Sequence, residues 1–332
     1  MLILGIETSC DDTSVCLLNE KKEVLAEISF SQEVLLKKWG GIVPEIAARN
    51  HLAKLVPLLE EVFAKANLSP KDLDLIGVTT HPGLLGPLLT GLNAAKTLSL
   101  LYQIPIVPVN HIYAHLEAIH LVKEVKYPYL GLVVSGGHSL FFKVSSPVNF
   151  EILGGTKDDA AGEAFDKAAK ILGLGYPGGK VIDDLAKKGN AHRFEFPIGL
   201  KNSGDCNLSF SGVKTSIRTF MAENPNLDPQ DLPDVCASYQ HAIVSALELK
   251  CSFANKENLP IVVGGGVACN SYLRERFLKK FSEVHFVPPK YCTDNGTMIA
   301  NYALLAKEIA MPYPECLKVD SKSSMFAKGT RE

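Results

Sequence analysis

Residues 110–120 read NHIYAHLEAIH, which places His111, His115 and His120 within one short stretch of a chain that has nine histidines. On a helix, residues four apart share a face, so His111 and His115 can present two imidazoles to one ion. His120 turns off that face. Position 112 is Ile112, so the glutamate of an HExxH zinc-protease motif is absent. A third donor has to come from elsewhere, and Asp294, in CTDNG at an expected helix N-terminus, is a carboxylate of the right type. Two neutral imidazoles and a carboxylate with open positions suit a divalent transition metal. Spacing alone leaves the plain alternative standing: two satisfied or exposed histidines beside Asn110.

Glycines form the second set. They cluster in SGGH (135–138), YPGG (176–179) and VGGGVACN (263–270), each after a strand or at the start of a helix. Glycine there lets backbone N–H groups approach an anion closely, with the helix dipole assisting. No cluster reads GxxxxGK[ST], so the chain has no P-loop, and no clean GxGxxG follows the first strand. Any one cluster is explained by a tight turn. Three of them, with Asp11, Asp12, Asp166 and Asp183, point to phosphate and nucleoside binding in a cleft. Asp11 and Asp12 admit either catalysis or turn formation. Asp158 and Asp159 precede a helix and are read as N-caps. The basic pairs Lys187 and Lys188, Arg274 and Arg276, Lys279 and Lys280 are read singly as solvated faces.

These residues need elements to hold them. LILGIET (2–8) is a continuous apolar run and reads as a buried strand; VCLLN and VLAEISFS continue it as a meander through the acidic turn SCDDTS. Residues 43–66 carry apolar side chains at helical spacing. LDLIGVTT and IPIVPV read as further strands, with a helix after HPGLLGP between them. The layout then restarts: YLGLVVSGGHSLFFKV (129–144) is strand, glycine turn, strand, echoing LILGIETSCDDTSVCLL. A unit used twice implies a duplicated two-lobe fold with a cleft between lobes. Helices are expected at 158–175, ended by glycine, at 233–251, after VACN and after CTDNG. The tail beyond Pro312 is poorly patterned.

Bulk composition narrows the class. The chain has 332 residues, 46% hydrophobic and 21% charged, which supports a large core and two domains. A net charge of −2 gives no global basic field, so any RNA binding must use local patches or a partner. Eight cysteines form no CxxC pair and read as small buried thiols in a reducing compartment. MLILGIETSCDDTS has no basic n-region and reads as a first strand rather than a signal peptide. Pro87, Asn93 and Lys96 interrupt the most apolar run, GLLGPLLTGLNAAKTLSLL, so it reads as a buried core helix rather than a membrane span. A cytoplasmic location is expected.

Taken in order, GIETSCDDTS, GGIVPEIAARNH, NHIYAH, VVSGGHS, DDAAGEAFDKAAKILGLGYPGG, LSFSGVKT, GGGVACN and CTDNGTMIA resemble the TsaD family of tRNA N6-adenosine threonylcarbamoyltransferases, formerly labelled O-sialoglycoprotein endopeptidases. The wording of GGIVPEIAARNH and LGLGYPGG is similar to the bacterial and organellar branch. The resemblance runs from Leu2 to residue 305. It implies an α/β, actin-like fold of the actin/hexokinase/Hsp70 superfamily, with residues 1–103 plus 294–325 as one lobe and 104–293 as the other. It also implies transfer of a threonylcarbamoyl group from threonylcarbamoyl-adenylate to N6 of the adenosine 3′ of the anticodon in ANN-reading tRNAs. By the same resemblance His111, His115 and Asp294 are metal ligands, for iron(II) (Fe2+) with zinc as the alternative. Val133, Val134, Ser135, Gly136 and Gly137 form the adenylate turn, Asp166, Gly179, Asp183 and Asn270 are further adenylate contacts, and Asp11 is a residue implicated in activity. The implied partners are tRNA, an inactive actin-like paralogue (TsaB type) and a small P-loop ATPase (TsaE type).

The physical reading agrees with that role. A mixed carboxylic–phosphoric anhydride is already activated, so positioning and polarisation are the main needs. An exocyclic adenine amine is a poor nucleophile, which makes a base such as Asp11 attractive. The chain departs from the family where it has His81-Pro82-Gly83-Leu84 in place of GPGL. Three competing readings are weighed. A small-molecule kinase of the same superfamily has no need of NHIYAH with CTDNG. A metallopeptidase lacks its glutamate. A non-catalytic module does not need an intact metal triad.

Overall fold

The computed structural model describes residues 1–32, 35 and 42–324. The first two glycines of GGIVPEIAARNH and the residues beyond 324 lie outside the described residues. The chain divides into two compact units, Met1–Lys123 with Thr293–Glu332, and Glu124–Cys292.

In the first unit, β1 (Leu2–Glu7), β2 (Asp12–Asn19) and β3 (Val24–Ser31) make the expected antiparallel meander. β4 (Leu75–His81) and β5 (Ile106–Asn110) add in parallel on the other side of β1, giving the order β3-β2-β1-β4-β5. Helices α1 (Pro44–Ala66) and α2 (Leu85–Tyr102) link β3 to β4 and β4 to β5. β1 is central and buried throughout, which is why its sequence is an unbroken apolar run rather than an alternating one. Its Leu2, Leu4 and Ile6 join Leu55, Leu58, Val62, Leu92 and Ala95 of α1 and α2 in one core.

The opposite face of β1 carries α9 (Gly296–Leu305). A Cβ at Gly5 would lie 2.2 Å from the Gly296 carbonyl oxygen and 2.6 Å from the Ala300 nitrogen, so the bare backbone admits the helix. Gly296 N donates to Ser14 Oγ at 2.8 Å and Asn295 Oδ1 accepts from Met298 N at 2.7 Å, fixing where the helix begins. α3 (His111–Glu117) leaves β5 directly, capped by Asn110, whose Oδ1 accepts from Ile112 N and Tyr113 N.

Three expectations are corrected in this unit. The expected boundary puts residues 104–123 in the second lobe, but β5 pairs with β4, so that segment and the histidine helix belong to the first unit. α2 is not wholly buried: Pro87, Leu88, Gly91 and Leu92 face the core while Leu85, Leu89, Leu100 and Leu101 are exposed. The tail after Pro312 is packed as far as it is described, with Cys316 fully buried in the core. No helix of the described residues is long and apolar enough to cross a membrane.

The second unit repeats the plan. β6 (Tyr129–Val134), β7 (Ser139–Ser146) and β8 (Asn149–Gly155) form an antiparallel meander, and β9 (Ile261–Gly264) and β10 (Val284–Phe286) add in parallel beside β6. The order β8-β7-β6-β9-β10 matches β3-β2-β1-β4-β5 strand for strand. The duplication expected from the two strand-turn-strand segments is therefore present in topology. Around this sheet are α4 (Ala161–Ile171), α5 (Gly178–Ala186), α6 (Ser211–Glu223), α7 (Leu232–Ala254) and α8 (Ser271–Lys280). α4 ends as expected: Gly173, at φ +71°, takes the left-handed turn that lets Leu174 N reach Ala169 O at 2.8 Å. Its start is later than expected. Asp158 and Asp159 precede it without capping it, and Asp158 instead accepts from Phe210 N and Ser211 N at the start of α6.

Candidate functional site

β5 and α3 bring His111 and His115 onto one face, and the segment before α9 delivers Asp294. The Nε2 atoms of His111 and His115 are 3.2 Å apart, and Asp294 Oδ1 lies 3.4 Å from the first and 3.2 Å from the second. One ion with metal–ligand bonds of about 2.1 Å would set its donors roughly 3.0–3.4 Å apart, so the triangle fits a single transition-metal ion. Among the described residues this is the one group of three such side chains that could hold an ion. Both imidazoles are buried. His120 sits apart, on a short turn after α3, with its Nε2 3.5 Å from Glu117 Oε2.

Glu7, at the end of β1, stands behind the triangle. Its Oε2 is 3.0 Å from His111 Nδ1 and also accepts from Thr79 Oγ1 at 2.6 Å; its Oε1 accepts from Ser9 N at 2.5 Å. A carboxylate on Nδ1 keeps the proton there and turns the Nε2 lone pair toward the triangle. Burial opposes ionisation of Glu7, but His111 beside it more than offsets this and holds the carboxyl below its ordinary value. Burial likewise works against a charged His111, yet Asp294 and Glu7 raise it to about 9. Two carboxylates around one histidine thus create a site that demands a cation, either a proton on His111 or a metal.

The β1–β2 turn extends from the same residues. Asp11 lies on it, half-buried, and its carbonyl accepts from Gln32 N at 3.1 Å. His51 of α1 grips the turn from below, with Nδ1 2.8 Å from Thr13 Oγ1 and Nε2 3.0 Å from Cys10 O. Burial pushes Asp12 up to about 7, with Asp294, Asp11 and Glu7 reinforcing it and a hydrogen bond with Ser31 opposing it.

The glycine residues assemble in the second unit. β6 and β9 run parallel with Val133 opposite Gly264, so both carboxyl ends open at one edge, where α/β sheets bind ligands. Val133 and Val134 are fully buried, main chain included, so they support the turn from below. Ser135 N donates to His138 O at 2.8 Å to close the β6–β7 turn, and a Cβ on Gly136 or Gly137 would meet nothing within 4 Å. Gly162, in the first turn of α4, presses on this turn; a Cβ there would lie 2.6 Å from Ser135 O. Gly265 adopts φ +88° with its Cβ position 2.5 Å from Val134 O, a place only glycine fills.

Two more helix starts carry the predicted acids. Asp166 Oδ1 accepts from Gly178 N at 2.8 Å, at the start of α5, where Gly179 also lies. Asp183 and Asn270 meet at the start of α8. Ser271 donates to Asp183 through N (3.1 Å) and Oγ (2.9 Å), while Asn270 Oδ1 caps Leu273 N and its Nδ2 donates to Gln240 Oε1. The turn 135–137, Asp166 with Gly179, and Asp183 with Asn270 thus stand at strand ends and helix N-termini that favour an anion.

Sequence reasoning missed Glu7, Ser9, Thr79, His51 and Gly162. Glu7 sits inside the strand LILGIET, where a carboxylate against the pattern of a buried run was the available signal.

The repeated strand-helix plan and paired turns define an α/β protein of the actin-like ATPase fold. The component A of (R)-2-hydroxyglutaryl-CoA dehydratase from Acidaminococcus fermentans shares it, with a TM-score of 0.55 at 17% identity over 92% of this chain and 98% of that one. The family model of TsaD, tRNA N6-adenosine threonylcarbamoyltransferase, matches residues 23–301. A tRNA N6-adenosine threonylcarbamoyltransferase from Anaeromyxobacter sp. (strain Fw109-5) is 45% identical over 90% of this chain and 92% of its own. One from Thermotoga neapolitana is 43% identical over 98% of this chain and 100% of its own. The chain belongs to the TsaD family.

Proposed function

We propose that this chain transfers a threonylcarbamoyl group from threonylcarbamoyl-adenylate to N6 of the adenosine 3′ of the anticodon in ANN-reading tRNAs. The observation that carries the reading is the closed triangle of His111, His115 and Asp294 with Glu7 behind it. A small-molecule kinase has no use for such a triangle.

A divalent ion bound at that triangle, iron(II) or zinc, would supply Lewis acidity. His111, His115 and Asp294 would hold it, and Glu7 orients His111. The open face over Gly136 and Gly137 receives the adenylate phosphate on backbone N–H groups, with Ser135 shaping the turn. Asp166 and Asp183 keep lone pairs beyond those used by Gly178 and Ser271, and these accept from ribose hydroxyls. Gly179 and Asn270 complete that wall. Asp11 takes the proton from the adenine amine as the new bond forms. The anhydride carries its own leaving group, AMP, so no nucleotide hydrolysis is needed for transfer.

The chain works in the cytoplasm beside an actin-like paralogue and a small P-loop ATPase. The apolar face of α1 and α2, with Leu52 70% and Val56 57% exposed, offers the paralogue a docking surface.

The test is transfer from synthetic threonylcarbamoyl-adenylate to unmodified tRNA, with partners added, alongside metal quantification. One bound ion per chain and activity, both lost in His111→Ala/His115→Ala, are expected. Full transfer by a metal-free variant overturns the metal-assisted reading, and wild-type protein that loads metal but transfers nothing overturns the reaction.

A further inference from the structure

The two imidazoles of the triangle are held in different ways. His111 is oriented by a side chain, with Glu7 Oε2 3.0 Å from its Nδ1. His115 Nδ1 is buried and has no hydrogen-bond partner among the described residues. The aim of the His115 ring therefore follows from where its backbone sits, and so from the position of α3. That helix is short, with seven residues from His111 to Glu117. Asn110 fixes its start by capping Ile112 N and Tyr113 N. His115 lies in its last turn, away from that cap.

The far end of α3 is held by Asn301 of α9. Asn301 is fully buried, and its Nδ2 donates to the carbonyl oxygen of Glu117, the last residue of α3, at 2.9 Å. A carbonyl oxygen only accepts, so this contact also decides which way the amide is turned. Oδ1 is then left buried with no partner among the described residues. A buried acceptor without a donor costs stability, and an apolar side chain of similar size would avoid that cost. The bond made by Nδ2 is what the amide offers in return. α9 is also the helix that Asp294 leads into. Its start is tied to β2 and β3, through Gly296 N to Ser14 Oγ at 2.8 Å and Thr297 N to Glu27 Oε1 at 3.1 Å. The Asn301 bond thus joins the element that carries both histidines to the element that follows the carboxylate.

We propose that Asn301 is a positioning residue for the metal triangle. By holding the end of α3 against α9, it sets the 3.2 Å separation of His115 Nε2 and Asp294 Oδ1. The inference rests on the metal reading of His111, His115 and Asp294. Asn301 does for His115 what Glu7 does for His111, acting on the backbone instead of the ring. Without the bond, α3 keeps its cap at Asn110 and His111 keeps Glu7. His115 alone loses its fixed distance to Asp294, and a site with one donor misplaced binds its ion more weakly and in an altered geometry.

The test is cobalt(II) binding to the metal-stripped full-length chain. Visible ligand-field absorption reports the coordination geometry, chelator competition the affinity, and thermal melts of the metal-free protein the stability. Asn301→Leu removes the donor and the unpaired acceptor together. Its melting temperature is expected close to wild type. Its cobalt affinity should fall about 10-fold, the low end of what losing an outer partner of a ligand costs, and its absorption band should shift. Asn301→Ser is too short to reach Glu117 O, and the same change in affinity and band is expected, so the inference stays testable if leucine is not accommodated. Val262→Ala truncates a fully buried side chain of β9 in the second unit, and should lower the melting temperature while leaving cobalt affinity at the wild-type value. Wild-type affinity and an unshifted band in both Asn301 variants overturn the inference. An equal loss of affinity in Val262→Ala also overturns it, because general destabilisation would then account for the effect. A wild-type chain that binds no cobalt overturns the metal reading, and this inference with it.

Discussion

Glu7 Oε2 lies 3.0 Å from His111 Nδ1, and through that contact a residue of the first strand orients the candidate metal triangle. The carboxylate fixes the His111 tautomer and raises the basicity of its Nε2. Glu7→Gln keeps the shape and the contacts with Ser9 and Thr79 but removes the charge. Metal affinity is expected to fall about 10–100-fold, the usual effect of losing such an outer partner, with little change in secondary structure. A chelator-competition titration measures it, and an unchanged affinity would show that Glu7 only packs.

Glu7 also shows what could be read without a structure. The two strand-turn-strand segments were legible because a buried β1 or β6 needs an unbroken apolar run, and that run is visible. His111 and His115 were legible because helical spacing is local. Asp294 was reachable only by guessing its partner, and Glu7 only as a carboxylate out of place in an apolar run, because their proximity to His111 comes from the order in which strands join the sheet. Strand order also explains the misplaced boundary: β5 was separable from β4 by sequence, but pairs with it. The caps went the same way. Asp158 precedes α4 and serves α6, a helix the periodicity did not reveal.

Gly5 and Gly136 separate fold from function. A Cβ on Gly5 would collide with the backbone of α9, at 2.2 Å from Gly296 O. Gly5→Ala must displace the helix that follows Asp294, so a loss of about 3 kcal/mol or more is expected in a denaturant titration, at or above the usual range for overpacking. Gly136→Ala meets nothing within 4 Å. Its stability is expected to stay within about 0.5 kcal/mol of wild type. Adenylate affinity should drop, because the added methyl occupies the space proposed for the phosphate. Isothermal titration with a non-hydrolysable adenylate decides this, and unaltered binding would move the phosphate elsewhere.

Asp12 makes stability depend on pH. Unfolded, it ionises near 3.8, the ordinary value for an aspartate; folded, near 7. Between those values the folded chain keeps a proton that the unfolded chain has lost, so Asp12 lowers stability progressively as pH rises from about 4 to about 7. The full effect is on the order of 2–4 kcal/mol, discounted for the side chain's partial exposure. In metal-free protein, Asp12→Asn is therefore expected to be more stable than wild type at pH 8, with the difference shrinking toward zero near pH 4. Urea midpoints at the two pH values measure it. A constant difference would mean that the gain comes from packing.

The exposed side of α1 offers a final test of how the site is governed. His51 faces inward and holds Cys10 of the β1–β2 turn and Thr13 of β2, while Leu52 and Val56, next on the same helix, face solvent. Leu89 and Thr90 of α2 line the other side of that groove. A partner seated there bears on the helix that grips the turn. Val56→Asp places a charge on this face without touching the core. The melting temperature is expected to stay within about 2 °C of wild type, as for other exposed substitutions. Metal affinity should be unchanged, because no ligand or ligand contact moves. Capture of the actin-like paralogue should be lost, and with it the part of transfer that requires the partner. If the variant still binds the paralogue with wild-type affinity, the docking surface lies elsewhere and His51 is only a structural clamp.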